Sequence, residues 1–133
     1  MAIVVGYVPT KEGRAALTTA AAEARLRNAR LVVINSNRGG RDLDAEEARR
    51  YEDELDAVRR QLDDAGGEHE VRQLVRGMEP AEDLIAVAQE VNAQVIVIGL
   101  RRRTPVGKLI LGSNAQRILL DAPCAVLAVK AAD

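Results

Sequence analysis

Four short apolar runs, built from Val, Ile, Leu and Ala, and a fifth run mixed with charges are spread along the chain, and a segment with helical periodicity separates each from the next. Few folds accept that alternation. Parallel strands need a crossover between them, and strands buried on both faces read as unbroken apolar runs, so the pattern predicts a parallel sheet with helices on both sides.

The predicted strands are Ala2–Val8, Leu31–Ile34, Glu68–Val75, Gln94–Ile98 and Ala125–Val129. Pro9 stops the first, because it has no N–H for a ladder. Thr10 is then a helix cap, and Leu17, Ala20, Ala21 and Ala24 form one apolar stripe on a helix that ends near Asn28. Arg38-Gly39-Gly40 connects onward, and Asp42 or Asp44 caps a charged helix from Ala45 to about Asp64. Its buried stripe is Ala48, Tyr51, Leu55, Val58 and Leu62, and Gly66-Gly67 stops it. The third strand carries charges and suits a sheet edge, and Gly77 turns the chain after it. Pro80 opens a third helix, with Leu84, Ile85, Ala88 and Val91 inward. Gly99 closes the fourth strand. Ser113 and Gln116 have capping-box spacing at the start of the fourth helix, which runs to about Leu120 before Asp121-Ala122-Pro123.

Right-handed crossovers and one reversal of winding give strand order 3-2-1-4-5 in a single-domain, three-layer α/β/α sandwich. A ligand is expected in the crevice between the carboxyl ends of strands one and four. That places Val8, Pro9 and Thr10 opposite Gly99 and the loop carrying Arg101, Arg102, Arg103 and Lys108, with Asn35 and Ser36 on the next wall. Gly112-Ser113 opens a helix beside that basic loop, and a helix N-terminus favours anions. The competing reading is a well-capped helix next to a solvated charge run.

The 133 residues suffice for one core, and it must be aliphatic, since there is no Trp or Phe and only two Tyr. A formal net charge of −1 gives no field that would draw nucleic acid or an anionic membrane. No apolar run is long enough to span a bilayer, the opening MAIVVGYV lacks a basic leader, and Cys124 is the one cysteine, so a cytoplasmic protein is expected. A buried, inert thiol is expected of Cys124. The turn GYVPTKEG fails the dinucleotide fingerprint, and Gly107-Lys108 fails the P-loop, with Arg102 in the first glycine place and Leu109 in the hydroxyl place. Val8-Pro9 lacks the acidic residues of a receiver domain. His69 and Cys124 are single, so neither a metal cluster nor a nucleophile–base pair is expected.

The chain resembles the universal stress protein family over essentially its whole length. The likeness rests on the opening strand and Ala-rich helix, VRG before Pro80, QVIVIG, and most of all the closing block GKLILGSNAQRILLDAPCAVLAVK. An ATP-binding subgroup of that family carries G-x-x-G, nine residues, then G-[ST]. Gly99, Gly112 and Ser113 match it, Arg102 stands at the middle glycine, and Asn114 stands where a small aliphatic residue is common. Val8 occupies the place of an acidic residue that helps hold the nucleoside. The resemblance implies an adenine nucleotide, ATP with Mg²⁺. Gly99, Arg102, Gly112, Ser113 and Asn114 would line the phosphates, and Val8, Pro9, Thr10 and Ser36 the nucleoside. It implies a signalling or regulatory module rather than an enzyme, with at most slow hydrolysis of bound ATP and an unknown protein partner. Family dimers often form through the last strand, and the apolar edge AVLAV predicts a homodimer through Ala125–Val129. The alternative is the same fold without nucleotide binding, acting in stress response through dimer and partner contacts alone.

Overall fold

The computed structural model describes residues 1–37, 45–75, 79–100 and 111–131. Its elements run β1 (Ala2–Gly6), α1 (Lys11–Arg27), β2 (Arg30–Asn37), α2 (Ala45–Ala65), β3 (His69–Val75), α3 (Pro80–Glu90), β4 (Ala93–Leu100), α4 (Ser113–Asp121) and β5 (Ala125–Lys130). All five strands are parallel, in the order β3-β2-β1-β4-β5. The predicted fold class and order are therefore the observed ones.

Side chains alternate across a strand, so each strand feeds two cores. Ile3, Val5, Leu31, Val33, Val95 and Val97 face α1 and α2, which contribute Ala16, Leu17, Ala20, Leu55, Val58 and Leu62. Val4, Val32, Ile34, Ile96 and Ile98 face the other way, onto Leu84 and Val87 of α3 and Ile118 of α4. The alanines of α1 let it lie close to the sheet. Thr10 caps α1 as predicted, its Oγ1 accepting from the Gly13 amide at 3.1 Å. Asn28 ends the helix in the left-handed region (φ 52°), and Gly66 and Gly67 (φ 78° and 92°) do so after α2.

Several boundaries differ from expectation. β1 stops at Gly6, although its apolar run continues to Val8, because the Val8 carbonyl turns away to accept from the Thr10 amide at 2.7 Å. β2 continues through the polar Asn35-Ser36-Asn37, carried there by β3, with Ser36 opposite Leu74. β4 continues past Gly99 to Leu100. The start of α4 needs correction. Gly112, not Ser113, is the cap, because its carbonyl takes the Gln116 amide at 3.0 Å. Ser113 is the first helical residue, and the Gln116 side chain donates instead to the Leu111 carbonyl at 3.1 Å, so no capping box forms. Arg38-Gly39-Gly40, Asp42, Asp44, Gly77 and the loop from Arg101 to Lys108 lie outside the described residues.

Candidate functional site

At the carboxyl ends of β1 and β4 the sheet opens into a cavity of about 150 Å³. Gly6, Tyr7 and Val8 come from the exit of β1, Ile34 and Ser36 from β2, and Ile98 and Gly99 from β4. Glu12 and Gly13 of α1 close one side, Pro80 and Leu84 of α3 another, and Asn114, Ala115 and Ile118 of α4 the third. The walls are mostly apolar, with a few polar side chains among them, which is the usual make-up of a small-molecule site.

Backbone contact sets part of this shape. A Cβ on Gly13 would lie 1.9 Å from the Val8 carbonyl oxygen, and one on Gly99 would lie 2.2 Å from the Glu12 carbonyl oxygen. Only glycine at both positions lets the first turn of α1 press onto β1 and β4. Gly99 therefore has a packing role that the family pattern alone does not explain.

On the α3 side, the Ser36 hydroxyl bonds Oδ2 of Asp83. Asp83 is completely buried, and its Oδ1 has no hydrogen-bond partner among the described residues. On the opposite face of β2, the buried Asn35 donates Nδ2 to the Tyr7 carbonyl at 3.0 Å, fixing the exit of β1. The Tyr7 hydroxyl donates to Glu54 of α2 at 2.7 Å, and Arg14 pairs with the same carboxylate at 3.4 Å. Burial first, then the Glu54 carboxylate, push the Tyr7 phenol well above its ordinary pKa, so it stays a neutral donor. Asn114 accepts from the Ala81 amide at 3.1 Å, satisfying one of the free N–H groups at the start of α3 and tying α4 to it.

Of the residues singled out from the sequence, Val8, Ser36, Gly99 and Asn114 line the cavity. Thr10 spends its hydroxyl on the α1 cap. Pro9 faces a separate depression beside Arg50, Tyr51 and Glu54. Gly112 and Ser113 stand immediately before Asn114, at the positive end of α4. Arg102 lies outside the described residues. Glu12, Asp83 and the apolar floor of Ile34, Leu84, Ile98 and Ile118 went unnoticed as site elements in the sequence. A carboxylate in the first turn of a helix reads there as ordinary dipole complementation.

Burial raises the pKa of the Cys124 thiol, opposed by a weaker backbone hydrogen bond from Ile96, and this suits a packing role. Among the described residues there is no group of His, Cys, Asp and Glu able to hold a metal, and no helix is long and apolar enough to cross a membrane.

Known proteins share this architecture. The chain matches the model of the universal stress protein family over residues 1–130. A universal stress protein of Mycolicibacterium smegmatis is 45% identical over 128 residues, covering 96% of each chain. The solved universal stress protein from Archaeoglobus fulgidus superposes with a TM-score of 0.83 at 38% identity over 98% of both chains. A universal stress protein from the same organism, solved in complex with dAMP, gives 0.76 at 33% identity over 98% of both. With a family model spanning nearly all of its length and relatives matched end to end, the chain belongs to the universal stress protein family.

Proposed function

We propose that the crevice binds an adenine nucleotide, ATP in the first instance, and that the protein works in stress response as a dimeric signalling or regulatory module in the cytoplasm. The observation that carries this reading is the apolar, glycine-walled cavity at the switch point of the sheet, directly before the start of α4. Its floor suits a flat base, and its rim meets a helix end. The Gly112 cap has no side-chain oxygen to offer the first-turn amides, an arrangement that favours an anion there. The relative solved with dAMP supports adenine as the base.

The nucleoside half departs from the family's ATP binders. Val8 is 42% exposed at the cavity, in the place of their acidic residue. Glu12, the one acidic residue among the described lining residues, is the candidate to replace it, toward the ribose hydroxyls. Occupancy rather than turnover is the proposed signal, with at most slow hydrolysis of bound ATP.

Dimerisation is placed in this reading at the β5 edge, whose Ala125–Lys130 strand pairs only with β4 among the described residues. A second copy of the same strand would satisfy its outer backbone groups by two-fold symmetry.

Calorimetric titration of nucleotide-free protein with ATP and Mg²⁺ tests the site. Micromolar binding that Ser113→Ala weakens is the expected result. A silent titration at millimolar ATP overturns it. The exposed Val8 favours a second reading, a dimeric interaction protein whose site has lapsed. In that case Arg102→Gly, which restores the family glycine, gains binding that the wild type lacks.

A further inference from the structure

We propose that Ser36 and Asp83 together read the edge of the purine, selecting an exocyclic amine over a keto oxygen. The proposal rests on the nucleotide reading above and names the group that sets its base preference.

Ser36 lines the cavity from the end of β2, among the apolar side chains of Ile34 and Leu84. Its hydroxyl can donate one proton and accept at two lone pairs. Asp83 decides which of these faces the ligand. Asp83 is completely buried in the first turn of α3, and its Oδ2 accepts the proton of the Ser36 hydroxyl. Among the described residues Oδ1 has no partner, and Ser36 is the one side-chain donor to Oδ2. Turning the Ser36 proton toward a ligand would leave the buried Oδ2 of Asp83 without that donor, which is unfavourable. The proton is therefore committed to Asp83, and Ser36 presents only lone pairs to the cavity.

An acceptor on an apolar wall needs a donor opposite it. The amine of adenine supplies one. The keto oxygen of hypoxanthine or guanine sets lone pair against lone pair, and both groups stay unpaired on binding. Asp83 is a positioning residue here, and Ser36 is the contact.

ATP and ITP differ at this edge, so parallel titrations with Mg²⁺ isolate it. Wild-type protein is expected to prefer ATP by about tenfold or more, and Ser36→Ala to bring the two within about threefold of each other. Asp83→Asn puts an amide beside Ser36 that both donates and accepts, so Ser36 can turn its proton outward. ITP affinity should then rise, which a merely structural role for Asp83 would not produce. If Asp83→Asn fails to fold, as judged by circular dichroism and thermal melting, Ser36→Ala alone decides the question. Equal binding of ATP and ITP by the wild type overturns this proposal alone. So does a Ser36→Ala protein that weakens both nucleotides equally, since Ser36 would then face the sugar. Absence of heat with either nucleotide overturns the site itself.

Discussion

The two edges of the sheet face the same hazard and meet it differently. Each edge strand has a neighbour on one side only, and its outer N–H and C=O groups invite another chain. On β3 the edge is charged. Arg72 bonds Glu70 through two nitrogens at 3.1 and 3.2 Å and reaches Glu90 of α3 at 2.8 Å, while Arg30 of β2 pairs with Glu70 at 3.4 Å. On β5 no charge appears before Lys130, and Val126, Leu127 and Val129 are only partly buried against the two cores. A row of partly exposed ion pairs discourages strand addition, whereas an apolar edge with half-buried side chains is suited to receive it. The contrast is the reason the proposed self-association is placed on β5 and not on β3.

Breaking the apolar edge should produce the largest effect. Ala128 is exposed on β5, so a lysine there disturbs neither core. Across the two-fold axis of the proposed dimer, Ala128→Lys sets two like charges near each other, and that dimer should weaken by about 3 kcal/mol, roughly a hundredfold in dissociation constant. Sedimentation against concentration measures the shift, and far-ultraviolet circular dichroism checks that the fold is kept. A wild-type chain that sediments as a monomer at micromolar concentration removes the contrast between the edges.

The same two edges show what could be read without coordinates. The strands and their order were legible because β-branched apolar runs between helical segments leave few arrangements, and the edge place of β3 followed from its charges. Thr10 was legible as a cap because capping is local. What stayed hidden depends on contacts between distant segments. Gly13 looks like a poor helix residue until α1 is laid on the Val8 carbonyl. Asp83 looks like a surface charge in a first helical turn, and only the extension of β2 to Asn37, driven by pairing with β3, brings Ser36 over it. Asn114 looked like a departure from the family's aliphatic residue, and in the structure it holds the start of α3. Ser113 was misread as a cap because its spacing to Gln116 fits two registers one residue apart, and the carbonyl of Gly112 takes the bond.

Sharpening the contrast from the other side means removing the charges of β3. Arg72→Val deletes its bonds to Glu70 and Glu90 and leaves the two carboxylates without it. The loss in stability should be about 1 kcal/mol, because the network is partly exposed and screened. Urea denaturation reads that loss. The more telling result is assembly state. Replacing Glu70 by valine as well removes the carboxylate that Arg72→Val leaves on the strand, and this double variant should let β3 recruit further copies, seen as concentration-dependent light scattering beyond that of the wild type. Unchanged scattering would mean that the charges are not what protects this edge.

The smallest effect is the pH dependence of the same network. The Arg72 side chain, through its hydrogen bonds first and its charge second, holds the Glu70 carboxyl below its ordinary pKa against the opposing pull of desolvation, with Arg30 adding a little. A carboxyl lowered by folding stabilises the native state wherever it is ionised in both states. That contribution is complete above the unfolded glutamate value of about 4.3 and fades as pH falls through the lower folded value. Glu70 keeps 35% of its side chain exposed, so the contribution is a few tenths of a kcal/mol at most after solvent screening. Urea midpoints taken between neutral and acidic pH should therefore fall slightly more steeply below that value in the wild type than in Arg72→Val. Identical slopes would show that the ion pairs of β3 act as a barrier to strand addition and contribute nothing measurable to folding. The charged edge would then be explained by the chains it keeps away, and the apolar edge by the one it admits.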